Sequence, residues 1–483
     1  MVFSSCLTVR LKGKNQGKRT TQLTLLFPVS IFTSDLSPSL LGLLVASGAI
    51  GSFFSFIPAS YIADILGRRI CVCIGSIIVI IVSIVQALIP NIWVFLSTRV
   101  LAGMGGGIAA TAAPLLITEI AHPRQRQSAT GLYNCTWCVG SISSAIATIA
   151  TLKLDNSWSW RLPCLLQILY PILQLVGLAI IPESPRWLVS ANRKSEALEI
   201  LQKYHANGAT NNEDVQIEFE QICSLIPLEH KTAEHGWKKF FSSRGHLHML
   251  AICVLVGVMQ EWAGNGKSLQ RECCDIMAAN SKVGVISYYL APILTSIGIE
   301  NVLDQAIVNL SMQIWNFIIS SLSALASERY GRRILWLLST VLMLLFLVTI
   351  TTVTALYKEK NLSSAGIAAV PLLFLFFGSF DLAYGSLFIA YPAEILPFEL
   401  RAKGLSLTLL SDSLGAFSNQ FANPVAFEKL QWRYYFVFLG SLSFFLVCIY
   451  FLFPETKGRT LEEISQIFQT EKQEGSDENA QMS

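Results

Sequence analysis

Charge is scarce in this chain: Asp, Glu, Lys and Arg make up 14% of its 483 residues, against 52% hydrophobic ones. Soluble globular proteins carry about 25% charge, so a water-exposed fold is excluded and a bilayer is the expected solvent. Metal-ligand spacing is also lacking: the eleven cysteines are scattered, mostly inside apolar runs, and read as small packing residues. No nucleophile constellation or phosphate-binding loop is recognisable, and Gly105, Gly106 and Gly107 lie within an apolar run where glycines let helices approach closely. These absences exclude an enzyme and give no reason to expect a cofactor, a metal or, at a formal charge of +3, a nucleic-acid partner. No cleavable signal peptide is evident, because the basic start leads into a weak apolar run without a small-residue cleavage site.

What the chain has is long charge-free runs. A hydrocarbon core of roughly 30 Å takes about 20 helical residues to cross. Residues 36–63, 70–98, 129–152, 162–182, 305–327, 334–357 and 434–453 each suffice, and shorter or singly charged runs occur at 100–118, 249–260, 285–299, 361–392 and 404–427. These amount to about eleven good spans. A membrane-embedded backbone must satisfy its own hydrogen bonds, and the runs lack strict alternation, so an all-α bundle is required and a barrel excluded.

Arg68 with Arg69, Arg124 with Arg126, the stretch from Arg186 to Lys239, Arg332 with Arg333, and Arg401 with Lys403 fall in alternate loops, which marks that face as cytoplasmic. The same parity puts the sequon at Asn361 outside, whereas the sequons at Asn134 and Asn309 lie within spans. The polar stretch 182–246 separates two sets of spans. Within it, Ala197, Ile200, Leu201 and Tyr204, and then Val215, Phe219, Ile222 and Ile226, recur at helical spacing and predict two amphipathic helices on the cytoplasmic face. The expected organisation is an atypical N-terminus at 1–35, a first bundle at 36–181, a linker at 182–246, a second bundle at 247–453 and a cytoplasmic tail at 454–483.

The two halves echo each other. Asp64 precedes Gly67, Arg68 and Arg69 as Glu328 precedes Gly331, Arg332 and Arg333. Glu119 leads Arg126 as Glu394 leads Arg401, and Pro182, Glu183 and Arg186 close the first half as Pro454, Glu455 and Lys457 close the second. Internal repeats of this kind mark transporters. Acids and arginines at neighbouring helix ends form charge-assisted pairs, so a cytoplasmic latch is expected from Asp64, Arg68, Arg99, Glu119, Arg126, Glu183, Arg186, Glu328, Arg332, Glu394 and Arg401.

Together with Gly103, Gly105 and Gly107 after Arg99, this ordered set resembles the sugar porters of the major facilitator superfamily, especially the fungal branch, over about residues 36–465. The resemblance implies a major facilitator fold of two six-helix bundles, with cargo held near the midplane by amides and aromatic rings. It places candidate cargo ligands at Asn134, Gln260, Glu261, Tyr288, Tyr289, Asn316 and Asn419, with Gln420 beside the last. Amides suit a polyol because they offer a donor and an acceptor together. The alternative for each polar side chain is a helix-to-helix hydrogen bond, and for Trp137 or Trp315 simple packing. Glu261, Asp381 and Asp412 are intramembrane carboxylates, which are costly unless paired or titrating. In proton-coupled members of the family the acceptor sits on the first helix. That helix is poorly formed here, so Asp381 or Glu261 is a candidate substitute proton site, the alternative being partial pore hydration or a buried partner without coupling.

Two regions depart from the pattern. Residues 20–33 are apolar over only about 21 Å of helix, too short to cross, and leave Arg10, Lys12, Lys14, Lys18 and Arg19 outside, against the charge rule. Either this segment dips in weakly or the true start differs. Residues 267–284 put Lys267, Arg271, Glu272, Asp275 and Lys282 into the middle of the expected seventh helix. Removing those 18 residues joins Gly266 to Val285 and restores one span, so the segment reads as a retained intron, with a true inserted loop as the alternative.

The expectation is a multi-pass transporter, placed in the plasma membrane by resemblance, moving a mono- or disaccharide by alternating access with protons as candidate co-substrate. Rival readings are a non-transporting sugar receptor, an inactive relic, and a quinate-like organic acid as cargo.

Overall fold

The computed structural model describes residues 38–122, 126–151, 157–205, 213–233, 240–263, 302–360 and 363–457. Among these residues every regular element is a helix. The first half contains α1 (Pro38–Leu66), α2 (Arg68–Leu88), α3 (Ile92–Ile120), α4 (Arg126–Thr151), α5 (Trp158–Leu166) and α6 (Leu169–Ile180). The linker carries α7 (Pro185–Ser190), α8 (Lys194–His205) and α9 (Glu213–Ala233). The second half contains α10 (Arg244–Trp262), α11 (Val302–Tyr330), α12 (Arg332–Lys360), α13 (Ser363–Phe380), a π-turn (Asp381–Gly385), α14 (Ala390–Ile395), α15 (Phe398–Leu430) and α16 (Tyr435–Leu452).

Seven described segments are long and apolar enough to cross a membrane, among them 68–88, 92–120, 332–356 and 435–452. Their outward faces carry Ile77, Ile81, Leu173, Val176, Ile180, Phe444 and Phe451, all exposed. An apolar surface of that extent is stable only against lipid tails. The chain is thus an all-α, multi-pass integral membrane protein.

Small residues set the packing of the first half, as the glycine run suggests: Gly103 lies against the Gly48 backbone, Gly105 against Gly75, and Gly107 against Ser55. Aromatic rings dominate the second half, where Trp336 meets Tyr384 at 4.7 Å between centroids and Tyr391 stacks on Phe453 at 5.1 Å. Across the halves, α1 runs along α15 and α4 along α11.

Both linker helices form where the periodicity places them, and Ala197, Leu201, Val215 and Ile222 make their common core. His205 fastens this unit to the end of α3: Nδ1 lies 2.8 Å from a Glu218 carboxylate oxygen and Nε2 lies 2.9 Å from the Ile120 carbonyl. At the start of α8 an exposed Arg193–Glu196 pair, with Nε donating to Oε1 over 2.8 Å, holds the Glu196 carboxyl below its usual range.

Candidate functional site

Two groups of polar residues stand out, one at the arginine-rich end of the bundle and one in a cavity between the halves.

At the arginine-rich end, Arg68 opens α2 and is buried. Its Nε lies 3.3 Å from Glu119 and its Nη2 3.4 Å from Asp64, while Nη1 donates to the Ala63 carbonyl over 3.1 Å. Glu119 also accepts a short hydrogen bond from the Ser184 hydroxyl. The Glu183 carboxylate takes the backbone N–H groups of Arg68 and Arg69 at 3.1 Å each, so it caps α2 from a distant stretch of chain. The second half repeats the Glu119, Ser184 and Glu183 contacts at its matching positions. Arg332 Nε lies 3.2 Å from Glu394, Thr456 donates to Glu394 over 2.7 Å, and Glu455 accepts from the N–H groups of Arg332 and Arg333 at 3.0 and 3.2 Å.

The glycine before each arginine pair makes the caps possible. Gly67 has φ +98° and Gly331 φ +84°, and a Cβ on either would come within 2.6 or 2.8 Å of the capping carboxylate. Both the left-handed backbone and the close approach demand glycine.

These geometries refine the expected latch. Asp64, Arg68, Glu119 and Glu183 do meet, as do Arg332 and Glu394, but each cluster stays within its own half. Glu183 bonds backbone amides, and Arg401 donates to the Leu396 carbonyl over 3.4 Å. Arg186 adjoins the Ser184 turn that caps α7. The side chains of Arg126 and Glu328 fall outside the described residues.

Arg99 is a correction. It stands 20 residues before Glu119 on the same helix, which at 1.5 Å per residue is about 30 Å away. Arg99 therefore belongs to the opposite end of the bundle, where its Nε donates to Ser47 over 3.2 Å and its side chain lines the cavity.

The cavity, about 660 Å³, is walled by both halves. From the first half come Gln86, Arg99, Asn134, Trp137, Gln174 and Tyr170, and from the second Gln260, Glu261, Phe380, Asp381 and Asp412. Of the expected cargo residues, Asn134, Gln260 and Glu261 reach the wall. Asn134 gives its amide to the Gly385 carbonyl, and Gln260 and Glu261 are buried. Asn419 is also buried and donates to the Glu261 carbonyl over 2.8 Å, bracing α10 from behind. Asn316 is buried outside the lining. Tyr288, Tyr289, the 267–284 segment and Asn361 lie outside the described residues, as do the side chains of Asn309 and Gln420.

Sequence reasoning missed Gln86, Gln167, Gln174, Tyr133 and Tyr170 in the wall. A glutamine inside an otherwise apolar span was the available signal, since burying an amide is costly without a partner or a polar space to face. Ser76 partners Gln174 at 2.9 Å.

A family model described as "Sugar (and other) transporter" matches residues 5–267 and 273–468. The chain belongs to this family. Among its relatives, the high-affinity glucose transporter of Kluyveromyces lactis is 27% identical over 88% of this chain and 77% of its own length. The hexose transporter HXT11 of Saccharomyces cerevisiae is 26% identical over 90% and 74%. In fold, the proton:xylose symporter XylE bound to 6-bromo-6-deoxy-D-glucose matches with a TM-score of 0.75 at 21% identity, covering 91% of this chain and 93% of that one. These matches establish the major facilitator fold for a sugar transporter family member with duplicated arginine clusters at one end and a cavity between its halves.

Proposed function

We propose that this chain carries a neutral hexose-like sugar across the plasma membrane by alternately exposing the central cavity to its two sides. The observation that carries the reading is the wall of that cavity. Amides from both halves alternate with Trp137, Tyr170, Phe380 and Phe388, and such a surface matches a polyol, whose hydroxyls pair with amides and whose C–H faces lie on rings. The glucose and hexose transporters among the relatives support it.

Charge separates sugar from an organic acid. Among the described residues the wall holds Glu261, Asp381 and Asp412 against one cation, Arg99, so an anion such as quinate would meet net repulsion in a low-dielectric space. Alternating access draws on the duplicated clusters, which stiffen the cytoplasmic end of each half as a unit, so that the halves rock against each other. Asp381 is the candidate proton carrier: it faces the cavity from a π-turn, a feature frequent at functional sites.

The 267–284 segment is proposed to be absent from the working protein, because Lys267, Arg271, Glu272, Asp275 and Lys282 would otherwise stand inside the expected seventh span. The test is labelled hexose uptake in a yeast stripped of its own hexose carriers, with the chain expressed with and without 267–284. Saturable uptake by the shortened form, competed by hexoses and untouched by excess quinate, is expected. Quinate uptake, or no uptake by a shortened form that reaches the surface, would overturn the sugar reading.

A further inference from the structure

Asn134 faces the cavity, and its amide nitrogen donates to the Gly385 carbonyl on the opposite half. Gly385 ends the π-turn, Ser386 and Leu387 continue the helix, and Phe388 and Ile389 form a turn before α14 opens at Ala390. The carbonyls around this irregular stretch draw side-chain donors from neighbouring helices. Ser323 serves the Leu382 carbonyl and Ser339 serves that of Ser379 at 2.6 Å, both from within the second half. Asn134 serves Gly385 from the first half.

The neighbouring contacts lie on the same seam. A Cβ added to Gly131 would stand 3.1 Å from that of Ala324, and Cys135 Sγ lies 3.1 Å from Ser320 Oγ. Gly131, Asn134 and Cys135 share the arginine-side part of α4, opposite the part of α11 that leads to Tyr330. The halves are therefore closed against each other toward the arginine-rich end, and Asn134 is the point where that closure touches the cavity. The same π-turn holds Asp381, whose Oδ1 would be 2.5 Å from a Cβ on Gly385. The Asn134 contact and the carboxylate that faces the cargo space therefore sit on the same five-residue turn.

We propose that Asn134 is a positioning residue that keeps the cytoplasmic seam shut through the Gly385 carbonyl, and that it is not itself a ligand of the cargo. The proposal rests on the transporter reading for its consequence, but the seam can be measured without cargo. Ser320→Cys sets a second thiol beside Cys135, and copper phenanthroline oxidises the two thiols to a disulfide only when the seam is closed. A protease site placed at 206–212 then reports the cross-link, because the cut halves stay together on a non-reducing gel.

In this background Asn134→Ala should slow cross-linking by about threefold or more, the loss expected for one neutral hydrogen bond. Asn134→Gln, which keeps the amide, should retain part of the parent rate, and Cys135→Ser should give no product. Labelled glucose binding to purified protein completes the test. Before oxidation Asn134→Ala should bind more weakly than parent, and after oxidation equally well, since the disulfide replaces the tie. Cross-linking of Asn134→Ala at the parent rate would overturn the proposal. So would a binding defect that survives in the cross-linked protein, because it would make Asn134 a direct ligand. Loss of glucose binding in every form, with the cross-linking difference intact, supports the tie and counts against the sugar reading alone.

Discussion

The residues that do most for this molecule are the least conspicuous in chemistry. Gly67 and Gly331 each let a carboxylate approach an N–H pair that begins a membrane helix, in a left-handed backbone that costs an alanine about 1–2 kcal/mol. Gly177, by contrast, has open space around its Cα and an ordinary φ. Gly67→Ala or Gly331→Ala should therefore lower the melting temperature of the purified protein, while Gly177→Ala leaves it unchanged or raises it. Equal effects at all three positions would remove the capping role. Asp381 makes a second test at this scale. If it carries the proton, Asp381→Asn should abolish concentrative uptake while leaving exchange of labelled for unlabelled sugar across the membrane, because an amide keeps the shape and loses the titration. Concentrative uptake by the variant would remove Asp381 from the coupling.

Among elements, the linker helices show how far sequence patterning reaches. Ala197, Leu201, Val215 and Ile222 announce them by spacing alone, and they are the buried ones. What spacing cannot announce is the His205 bridge, because Glu218 and Ile120 come from different helices. Both ring nitrogens face acceptor oxygens, so the bridge ties α9 to the end of α3, beside Glu119. His205→Ala should speed amide hydrogen exchange in α9 and leave glucose affinity alone. Unchanged exchange would mean the apolar core suffices to hold the unit. The π-turn was equally illegible: Asp381 to Gly385 reads as ordinary α-helix, and the wider turn shows only in the folded backbone. Arg99 was misplaced for a related reason. Its charge suggested a helix end, but α3 continues through it from Ile92 to Ile120 and carries it away from the other arginines.

For the whole molecule, the repeat was legible because it is written in residue identity: Arg68 with Glu119 and Glu183 in one half, Arg332 with Glu394 and Glu455 in the other. The cavity was half legible. Gln260 and Glu261 followed from resemblance, whereas Gln86 and Gln174 reach the wall only once α2 and α6 pack. The central claim is that the space between the two repeats is the cargo site, which requires ligands from both. Its most direct test is equilibrium binding of labelled glucose to purified protein carrying Gln174→Ala from the first half or Gln260→Ala from the second. The account predicts that each change weakens binding by about threefold to tenfold, the worth of one neutral hydrogen bond, with melting temperature preserved. Unaltered affinity in either variant would contradict a site shared between the halves.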